Sequence, residues 1–337
     1  MRAAITGASG FIGAALLRDL APRAQLAALF RRPEPASESW EQAGCRVVYG
    51  DLDDDKALSE LVRSAQVVYH CAARMAKDDL AASLRVNVAG TERLARAALA
   101  HGVGRFVYLS SISVYAASRP ADATITEDVE PAGLDRLNAY SFTKYQGELQ
   151  VKQLAARDGL RFTIIRPTNV YGPRSRAWFV QFERLLHRVP VAIGDVSIDV
   201  VYIDDLLAAL QQAAASSAAV NETFHIGHEM VRLCDFIALV GGVVGRRAHR
   251  LPAATDYLLR AGIERGYRMA TGKCMSLSLT RPVFYPHTKA ERVLGYAPRI
   301  TLQQGFAAIA QWYRRGATGA TGGAASGRDD RAHLVLP

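Results

Sequence analysis

The sequence predicts an α/β fold with a doubly wound parallel sheet and a smaller, mostly helical C-terminal domain. Two observations predict it. Through the first half of the chain, short apolar stretches of strand length alternate with segments whose apolar residues recur at helical spacing. A turn rich in glycine joins the first strand to the first helix. Such alternation is typical of parallel strands joined by right-handed crossover helices.

The predicted elements follow in order along the chain. Residues 2–6 predict a buried strand, and residues 11–21 predict a helix that ends before Pro22, which cannot continue it. The later strands are short and apolar, and helical patterns separate them. Predicted strands lie at 24–30, 46–49, 66–71, 104–110 and 161–166, and predicted helices at 54–64, 87–101 and 138–157.

The pattern changes after Pro173, where helices dominate and glycines and prolines interrupt them. We therefore predict a first domain over residues 1–172 and a substrate-binding domain over 173–315. The apolar strand and helix at 199–215 are expected to return to the first domain. Residues 316–337, rich in glycine, alanine and threonine, predict a flexible tail.

The charge of the chain is basic but dispersed. Lys and Arg number 41 against 32 Asp and Glu, which gives a formal net charge of +9. The basic residues occur singly or in short doublets, so no nucleic-acid partner is predicted. The positive field favours small anionic ligands instead.

The four cysteines and the apolar runs predict a cytoplasmic protein. Cys45, Cys71, Cys234 and Cys274 are far apart, so neither a disulfide framework nor a metal site is expected from their spacing. Reduced thiols are the expected state. No apolar run approaches the ~20 residues that a membrane helix needs, so no integral membrane segment is expected.

Three glycines in the first turn predict a phosphate-binding site of the Rossmann type. Gly7, Gly10 and Gly13 lie directly after a strand and before a helix. There the first glycine permits a tight turn, the second lets the backbone approach a pyrophosphate, and the third lets the helix pack on the strand. The alternative is a purely structural turn. The predicted dinucleotide contacts are Gly7, Ser9, Gly10, Phe11, Ile12 and Gly13.

The end of the second strand indicates which dinucleotide binds. A site for NAD usually has an acidic residue there, whereas this chain has Arg31 and Arg32. A guanidinium can pair with a 2′-phosphate through two hydrogen bonds, so NADP is favoured over NAD. The alternative is that both arginines simply face solvent. Asp51 and Leu52, after the third strand, are predicted to meet the adenine end.

Tyr140 and Lys144 are candidate catalytic residues. Four positions apart on a predicted helix, they share a face, and an ammonium beside a phenol lowers the pKa of the phenol. Ser111 follows a buried strand at the carboxyl edge of the sheet and is predicted to hold a substrate oxygen. Ser113 is a candidate substrate contact. Ser110 and Ser113 are alternatively turn or capping residues.

These motifs together resemble one known family, the extended short-chain dehydrogenase/reductases, also called the NAD-dependent epimerase/dehydratase family. The resemblance covers about residues 1–315, with nine pieces in the family's order. The pieces are TGASGFIG (6–13), GDL (50–52), HCAA (70–73), NVAGT (87–91), SSISVY (110–115), YSFTK (140–144), RPTNVYGP (166–173), VYIDD (201–205), and TKA leading to LGY (288–296).

The resemblance implies roles for individual residues. Ser111, Tyr140 and Lys144 would form a catalytic triad in which Lys144 also bonds the nicotinamide ribose. Asn87 would support the active site, its alternative being a helix N-cap. Asn169 would lie near the bound ligand, its alternative being a turn residue. The other cofactor contacts that the resemblance implies are Ala72, Ala73 and Pro167.

Two departures indicate the branch of the family. Members that act on nucleotide sugars usually carry an arginine where this chain has Ile198, and an aliphatic side chain cannot neutralise a diphosphate. The apolar segment 251–263 and the HCAA motif look more like the branch of 3β-hydroxysteroid dehydrogenases and dihydroflavonol reductases. Arginines that would substitute for the missing cation are Arg174, Arg176, Arg268 and Arg281.

We therefore predict an NAD(P)-dependent oxidoreductase that acts on a secondary alcohol or ketone, steroid-like or otherwise apolar. The alternatives are a nucleotide-sugar epimerase or dehydratase and a non-catalytic dinucleotide sensor. A homodimer is expected, because relatives pair the helices that correspond to 87–101 and 138–157. Leu94, Ala97, Ala98 and Leu149 would lie in that interface, or equally in an ordinary core.

Overall fold

The computed structural model describes residues 1–75, 79–115, 124–132, 134, 136, 138–192, 194, 196–271 and 283–319. Strands occur throughout this part of the chain. They are β1 (Arg2–Thr6), β2 (Gln25–Phe30), β3 (Arg46–Tyr49), β4 (Val67–His70), β5 (Arg105–Leu109), β6 (Phe162–Pro167), β7 (Asn169–Tyr171), β8 (Val191–Ala192), β9 (Ser197–Tyr202), β10 (Glu222–Ile226), β11 (Glu229–Arg232) and β12 (His249–Arg250).

Helices separate most of these strands. They are α1 (Phe11–Leu20), α2 (Pro35–Gln42), α3 (Asp55–Val62), α4 (Leu80–Leu84), α5 (Gly90–Ala100), α6 (Ala139–Asp158), α7 (Gln181–Arg188), α8 (Ile203–Ala215), α9 (Leu233–Val244), α10 (Ala253–Thr271), α11 (Thr288–Leu294) and α12 (Leu302–Gly319). Two π-helical turns, Arg85–Ala89 and Arg176–Val180, precede α5 and α7, and 3-10 turns occupy Ile112–Tyr115 and Ser217–Ala219.

Seven of the described strands form one parallel sheet in the order β10-β6-β5-β4-β1-β2-β3. The order reverses between β1 and β4, which pair through Thr6 and His70 at their carboxyl ends. Ligands of open parallel sheets bind outside the strand ends at such a reversal. The predicted α/β class with a doubly wound parallel sheet is confirmed.

Apolar side chains on the sheet and its helices form the core of the first compact unit. Phe106 on β5 and Leu58, Leu61 and Leu94 on the flanking helices are fully buried. The unit comprises the described parts of Met1–Thr168, Asp204–Gly227 and Val283–Pro298. Burial of these side chains explains why the apolar periods of the sequence locate the strands and helices.

A buried ion pair joins α6 to β6 inside this unit. Glu148 and Arg166 are 0% and 1% exposed, and two hydrogen bonds of 2.9 and 2.5 Å run from the guanidinium to the carboxylate. Ser110, directly after β5, donates a further hydrogen bond to Glu148. The charges of Glu148 and Arg166 therefore compensate each other in the protein interior, which is required because both groups have lost their hydration.

The second compact unit comprises the described parts of Asn169–Ile203, His228–Pro282 and Arg299–Pro337. It contains a three-stranded sheet in the order β11-β9-β7 and the two-stranded pair β12-β8. Aromatic rings form its core. Phe236 on α9 contacts Phe306 on α12 and Tyr171 on β7, with centroid distances of 5.1 and 5.6 Å.

Several predicted boundaries differ from the structure. The segment 199–215 divides, since β9 belongs to the second unit and α8 belongs to the first unit from Asp204 onward. The two small sheets were not predicted, although the strand predicted within 199–215 corresponds to β9. The predicted flexible tail begins too early, because α12 continues to Gly319. Residues 320–337 lie outside the described residues.

The positions named for a dimer interface pack within the first unit itself. Leu94 and Ala98 are fully buried in its core, and Ala97 packs against that core. Leu149 packs against a second cluster that includes Tyr115 and Tyr285. Their apolar character is therefore explained without a partner subunit.

We predict that Arg166→Met lowers the free energy of unfolding by about 3–5 kcal/mol, because it leaves the Glu148 carboxylate buried without a cation. Urea denaturation measures the loss. Arg96→Met is the matched control, since the Arg96–Glu92 pair is exposed and is expected to contribute less than about 1 kcal/mol. Equal losses in the two variants would contradict the compensating role of Arg166.

Candidate active site at the carboxyl edge of the parallel sheet

The turn between β1 and α1 has no room for side chains at its glycines. Gly7 has a φ of +73°, and a Cβ there would lie 2.7 Å from the backbone nitrogen of Ala72. A Cβ at Gly13 would lie 2.1 Å from the Gly7 carbonyl oxygen. Gly10 closes the turn with an N–H donated to the same oxygen at 2.9 Å. The close approach of these backbones accounts for Gly7 and Gly13, whereas a Cβ at Gly10 would lie 3.1 Å from the Gly7 carbonyl oxygen.

The start of α1 can accept a phosphate. The first hydrogen bond of the helix runs from Ala14 N–H to the Gly10 carbonyl. The N–H groups of Phe11, Ile12 and Gly13 therefore have no acceptor within the helix. Gly10, as N-cap, has no side chain to bond them. Ser9 and Gly10 are exposed beside these donors. This cradle fits the pyrophosphate of a dinucleotide, since free N–H groups and the helix dipole both favour an anion.

The adenine end of the predicted cofactor site lies at the ends of β2 and β3, which are neighbours in the sheet. Arg31 and Arg32 directly follow β2, are exposed, and form no ion pair with the described residues. Asp51 is exposed after β3, and its carboxylate accepts the N–H of Leu52 at 2.7 Å. Leu52 itself is buried in the core.

His70 joins the two strands at which the sheet order reverses. Its Nδ1 lies 2.7 Å from Thr6 Oγ1 and its Nε2 lies 2.9 Å from Thr91 Oγ1. Burial lowers the pKa of His70 to about 3, so the ring is neutral. The Thr91 hydroxyl donates its proton to Asn87 O, so its oxygen can only accept from His70. The ring proton of His70 therefore lies on Nε2. Thr6 also accepts the N–H of Ala72, so this chain of bonds fixes the loop beside Gly7.

Asn87 ties that loop to α6. It lies inside the π-helical turn before α5, and its carboxamide bonds both backbone groups of Arg74, with the N–H at 2.7 Å and the carbonyl at 3.0 Å. The same amide donates to Thr143 Oγ1 at 2.9 Å, one residue before Lys144. The N-cap alternative does not apply. Ala72 and Ala73, half-buried and exposed, are held between these anchors.

Ser111 and Tyr140 are brought together. A side-chain hydrogen bond joins them, and Ser111 Oγ also accepts the N–H of Ser113 at 3.1 Å. Burial raises the pKa of Tyr140, and the hydrogen bond with Ser111 acts in the opposite direction. The Ser110 hydroxyl donates its hydrogen bond to the Glu148 carboxylate. The hydroxyl of Ser113 is buried without a partner among the described residues.

Lys144 is a buried residue of α6, with 1% of its surface exposed. Its Nζ lies 4.1 Å from the centroid of the Tyr108 ring. Burial lowers the pKa of Lys144 to about 7, against the opposing effect of the Glu148 carboxylate. The sequence prediction gave Lys144 the task of lowering the pKa of Tyr140. In this structure the ammonium rests over the Tyr108 ring, and the interaction with Ser111 favours the Tyr140 phenolate.

Pro167 and Asn169 lie on either side of the boundary between the two units. Pro167 is the buried last residue of β6. Asn169 begins β7 and donates an Nδ2 hydrogen bond to Asp199 O at 2.7 Å, so it is a strand residue and not a turn residue. Ile198 is buried in the second unit, with 5% of its surface exposed.

The arginines considered as substitutes for a phosphate-binding cation are only partly described. Arg174 is exposed and has a φ of +70°. The side chains of Arg176 and Arg268, together with Arg281 and Cys274, lie outside the described residues.

Several residues of this edge were missed by sequence reasoning. They include His70, Thr91 and Thr143, whose role depends on contacts between elements. Gly147 offered one local signal, since an isolated glycine inside a long helix often marks a close approach. A Cβ at Gly147 would lie 2.4 Å from the Tyr108 hydroxyl.

A family model for the NAD dependent epimerase/dehydratase family matches residues 3–227, which include the glycine turn, Ser111, Tyr140 and Lys144. The chain belongs to this family. It is an enzyme that uses NAD(P) in short-chain oxidoreductase or epimerase chemistry on a small molecule, as the motifs predict.

Relatives at equal identity include both kinds of chemistry. The chain is 28% identical over 327 residues to 2-alkyl-3-oxoalkanoate reductase of Stenotrophomonas maltophilia, covering 91% of this chain and 97% of the relative. It is 28% identical over 319 residues to UDP-glucose 4-epimerase of Vibrio cholerae, covering 91% and 94%. The solved structure of MoeE5 with UDP-glucose and NAD has a TM-score of 0.74 at 27% identity, covering 94% and 99%.

Neither a metal site nor a membrane-spanning helix is found among the described residues. No group of three or more His, Cys, Asp or Glu side chains is placed there to hold a metal ion. Of the helices in that part of the chain, none has both the length and the apolar character to cross a bilayer.

We predict that Gly13→Ala weakens NAD(P)H binding by ~10-fold or more, because its Cβ forces the turn to open away from the phosphates. Titration by nicotinamide fluorescence measures the dissociation constant. Gly242→Ala in α9 is the matched control, since a Cβ there meets nothing within 4 Å. Unchanged affinity in Gly13→Ala would contradict the assignment of this turn to the dinucleotide.

Proposed function

We propose that this protein is an NADP-preferring oxidoreductase that transfers hydride between the nicotinamide and a secondary alcohol or ketone on an apolar carbon skeleton. The observation that carries the proposal is the hydrogen bond between Ser111 and Tyr140 at the sheet edge, with Lys144 one helical turn away. The reductase relative from Stenotrophomonas supports it.

The bound cofactor supplies a hydride donor or acceptor at the nicotinamide ring. In the reducing direction, Tyr140 gives its phenolic proton to the carbonyl oxygen as that oxygen gains negative charge. Ser111 bonds the same oxygen and orients it. The Lys144 ammonium lies one turn along the same helix, where its charge favours the phenolate that Tyr140 becomes. Oxidation of an alcohol runs the same steps in reverse.

The preference for NADP rests on the end of β2. Arg31 and Arg32 are exposed there and unpaired with the described residues, and no carboxylate follows Phe30 to accept the ribose hydroxyls of NAD. Two guanidinium groups at this place suit a 2′-phosphate.

The proposal of an apolar substrate is based on Ile198 and on the branch of the family that segment 251–263 resembles. Ile198 is buried where nucleotide-sugar members carry an arginine, so it offers no charge to a diphosphate. The second candidate, a nucleotide-sugar epimerase, is favoured by the 28% identity with the Vibrio epimerase. The two differ in outcome, because an epimerase returns its hydride and consumes no cofactor.

A cytoplasmic homodimer is also proposed. Cys45 and Cys71 are free thiols, which suits a reducing compartment. Because Leu94 and Ala98 are committed to the core, pairing through α5 and α6 would use exposed positions such as Arg93 and Gln153.

We predict that Tyr140→Phe lowers turnover of an apolar ketone by ~100-fold or more while the affinity for NADPH stays nearly unchanged, because only the transferable proton is lost. Oxidation of NADPH followed at its nicotinamide absorbance measures turnover. Tyr49→Phe, which removes a phenol that bonds Ser37, is the control and is expected to retain full activity. Equal turnover in the two variants would exclude the acid/base role of Tyr140.

Replacing both Arg31 and Arg32 with alanine is predicted to weaken NADPH binding by ~10-fold or more, because one charge-assisted hydrogen bond contributes about 1.5–3 kcal/mol. NADH binding should change little. Fluorescence titrations of both cofactors measure the difference. The double variant Arg63→Ala with Arg157→Ala removes the same charge from other exposed sites and should spare both affinities. If both cofactors lost affinity alike, the preference for NADP would be refuted.

A further inference from the structure

Tyr108 is a fully buried tyrosine that none of the catalytic steps uses. It lies on β5, three residues before Ser111, and its ring faces the underside of α6. The Lys144 ammonium lies 4.1 Å from the centre of that ring, well inside the ~6 Å range of a cation–π interaction. The strand and the helix therefore meet at a charge resting on an aromatic face.

The position of the Tyr108 ring is fixed on several sides. Its hydroxyl donates to Lys144 O at 3.4 Å. The His70 ring lies 5.5 Å away, centroid to centroid. A Cβ at Gly147 would lie 2.4 Å from the Tyr108 hydroxyl. The glycine inside α6, although unfavourable for a helix, therefore leaves the space that the phenol occupies.

We propose that Tyr108 is a positioning residue that holds the Lys144 ammonium over its ring and maintains it in the charged form. The catalytic consequence rests on the proposed function, because it matters only if Lys144 serves the reaction. The physical claim about Lys144 does not depend on that function.

The groups around Lys144 show why the ring is needed. Glu148 on α6, Cys71 and His70 at the end of β4, and Tyr108 on β5 face the ammonium. The Glu148 carboxylate is shared with Arg166, His70 is neutral, and burial raises the pKa of Cys71 to about 12, so the thiol is uncharged. Among these described groups, the ring face is the attraction that Lys144 does not share with another cation.

The test compares Tyr108→Phe, which keeps the ring, with Tyr108→Leu, which removes it. Selective ¹³C labelling of the lysine side chains, with the Lys144 resonance assigned through Lys144→Arg and followed by NMR at a series of pH values, gives the pKa of that buried amine. Tyr108→Leu is expected to lower the midpoint by about one pH unit, since losing a desolvated cation–π contact favours the neutral amine. Tyr108→Phe is expected to leave it within about 0.3 unit.

A midpoint that stays unchanged in a folded Tyr108→Leu protein would overturn the proposal, as would an equal shift in both variants. Should the leucine variant fail to fold, Tyr108→Met fills a similar volume without a ring and answers the same question. The labelling needs no substrate. Failure of the proposed function would therefore appear as unchanged turnover in Tyr140→Phe, whereas failure of the present proposal appears only in the midpoint for Lys144.

Discussion

Burial of the Lys144 ammonium is the constraint on which the rest of the sheet edge depends. An ammonium removed from water requires an opposite charge or an electron-rich surface. Glu148 supplies the charge one turn along α6, but a buried carboxylate needs partners of its own, which Arg166 and Ser110 provide. The ends of β5 and β6 are thereby fixed against the helix that carries Tyr140.

Neutral hydrogen bonds complete this edge at the reversal of strand order. His70 holds β1 and β4 together, and Asn87 fastens the loop after β4 to α6 through Thr143. Together with the bond from Thr91 to Asn87, these bonds form a chain that links β1, next to the glycine turn, with the part of α6 next to Tyr140. A site that must align a cofactor with a proton donor gains from such fixed supports, because less order must be created on binding.

The sequence predicts this architecture where its signals are local. Apolar periods located six of the seven strands of the main sheet and missed β10, and the spacing of Gly7, Gly10 and Gly13 located the predicted phosphate turn. Helix α2 was missed because few apolar residues mark it, although Pro35 and the capping box at Glu34 would have indicated its start. The position of Lys144 was not predictable, since it depends on Tyr108, 36 residues away on another element. A four-residue spacing shows which face two side chains share, but not which neighbour each one meets.

The central claim is that this edge moves a hydride to a carbonyl carbon. The most direct measurement uses NADPH that carries deuterium at the transferable position of the nicotinamide, with a panel of apolar ketones, and follows the products by mass spectrometry. The proposed oxidoreductase function predicts an alcohol with one deuterium on the carbinol carbon and an equal amount of NADP⁺. Conversion of a UDP-sugar to its epimer without net oxidation of cofactor, and with no deuterated alcohol from any ketone, would contradict it.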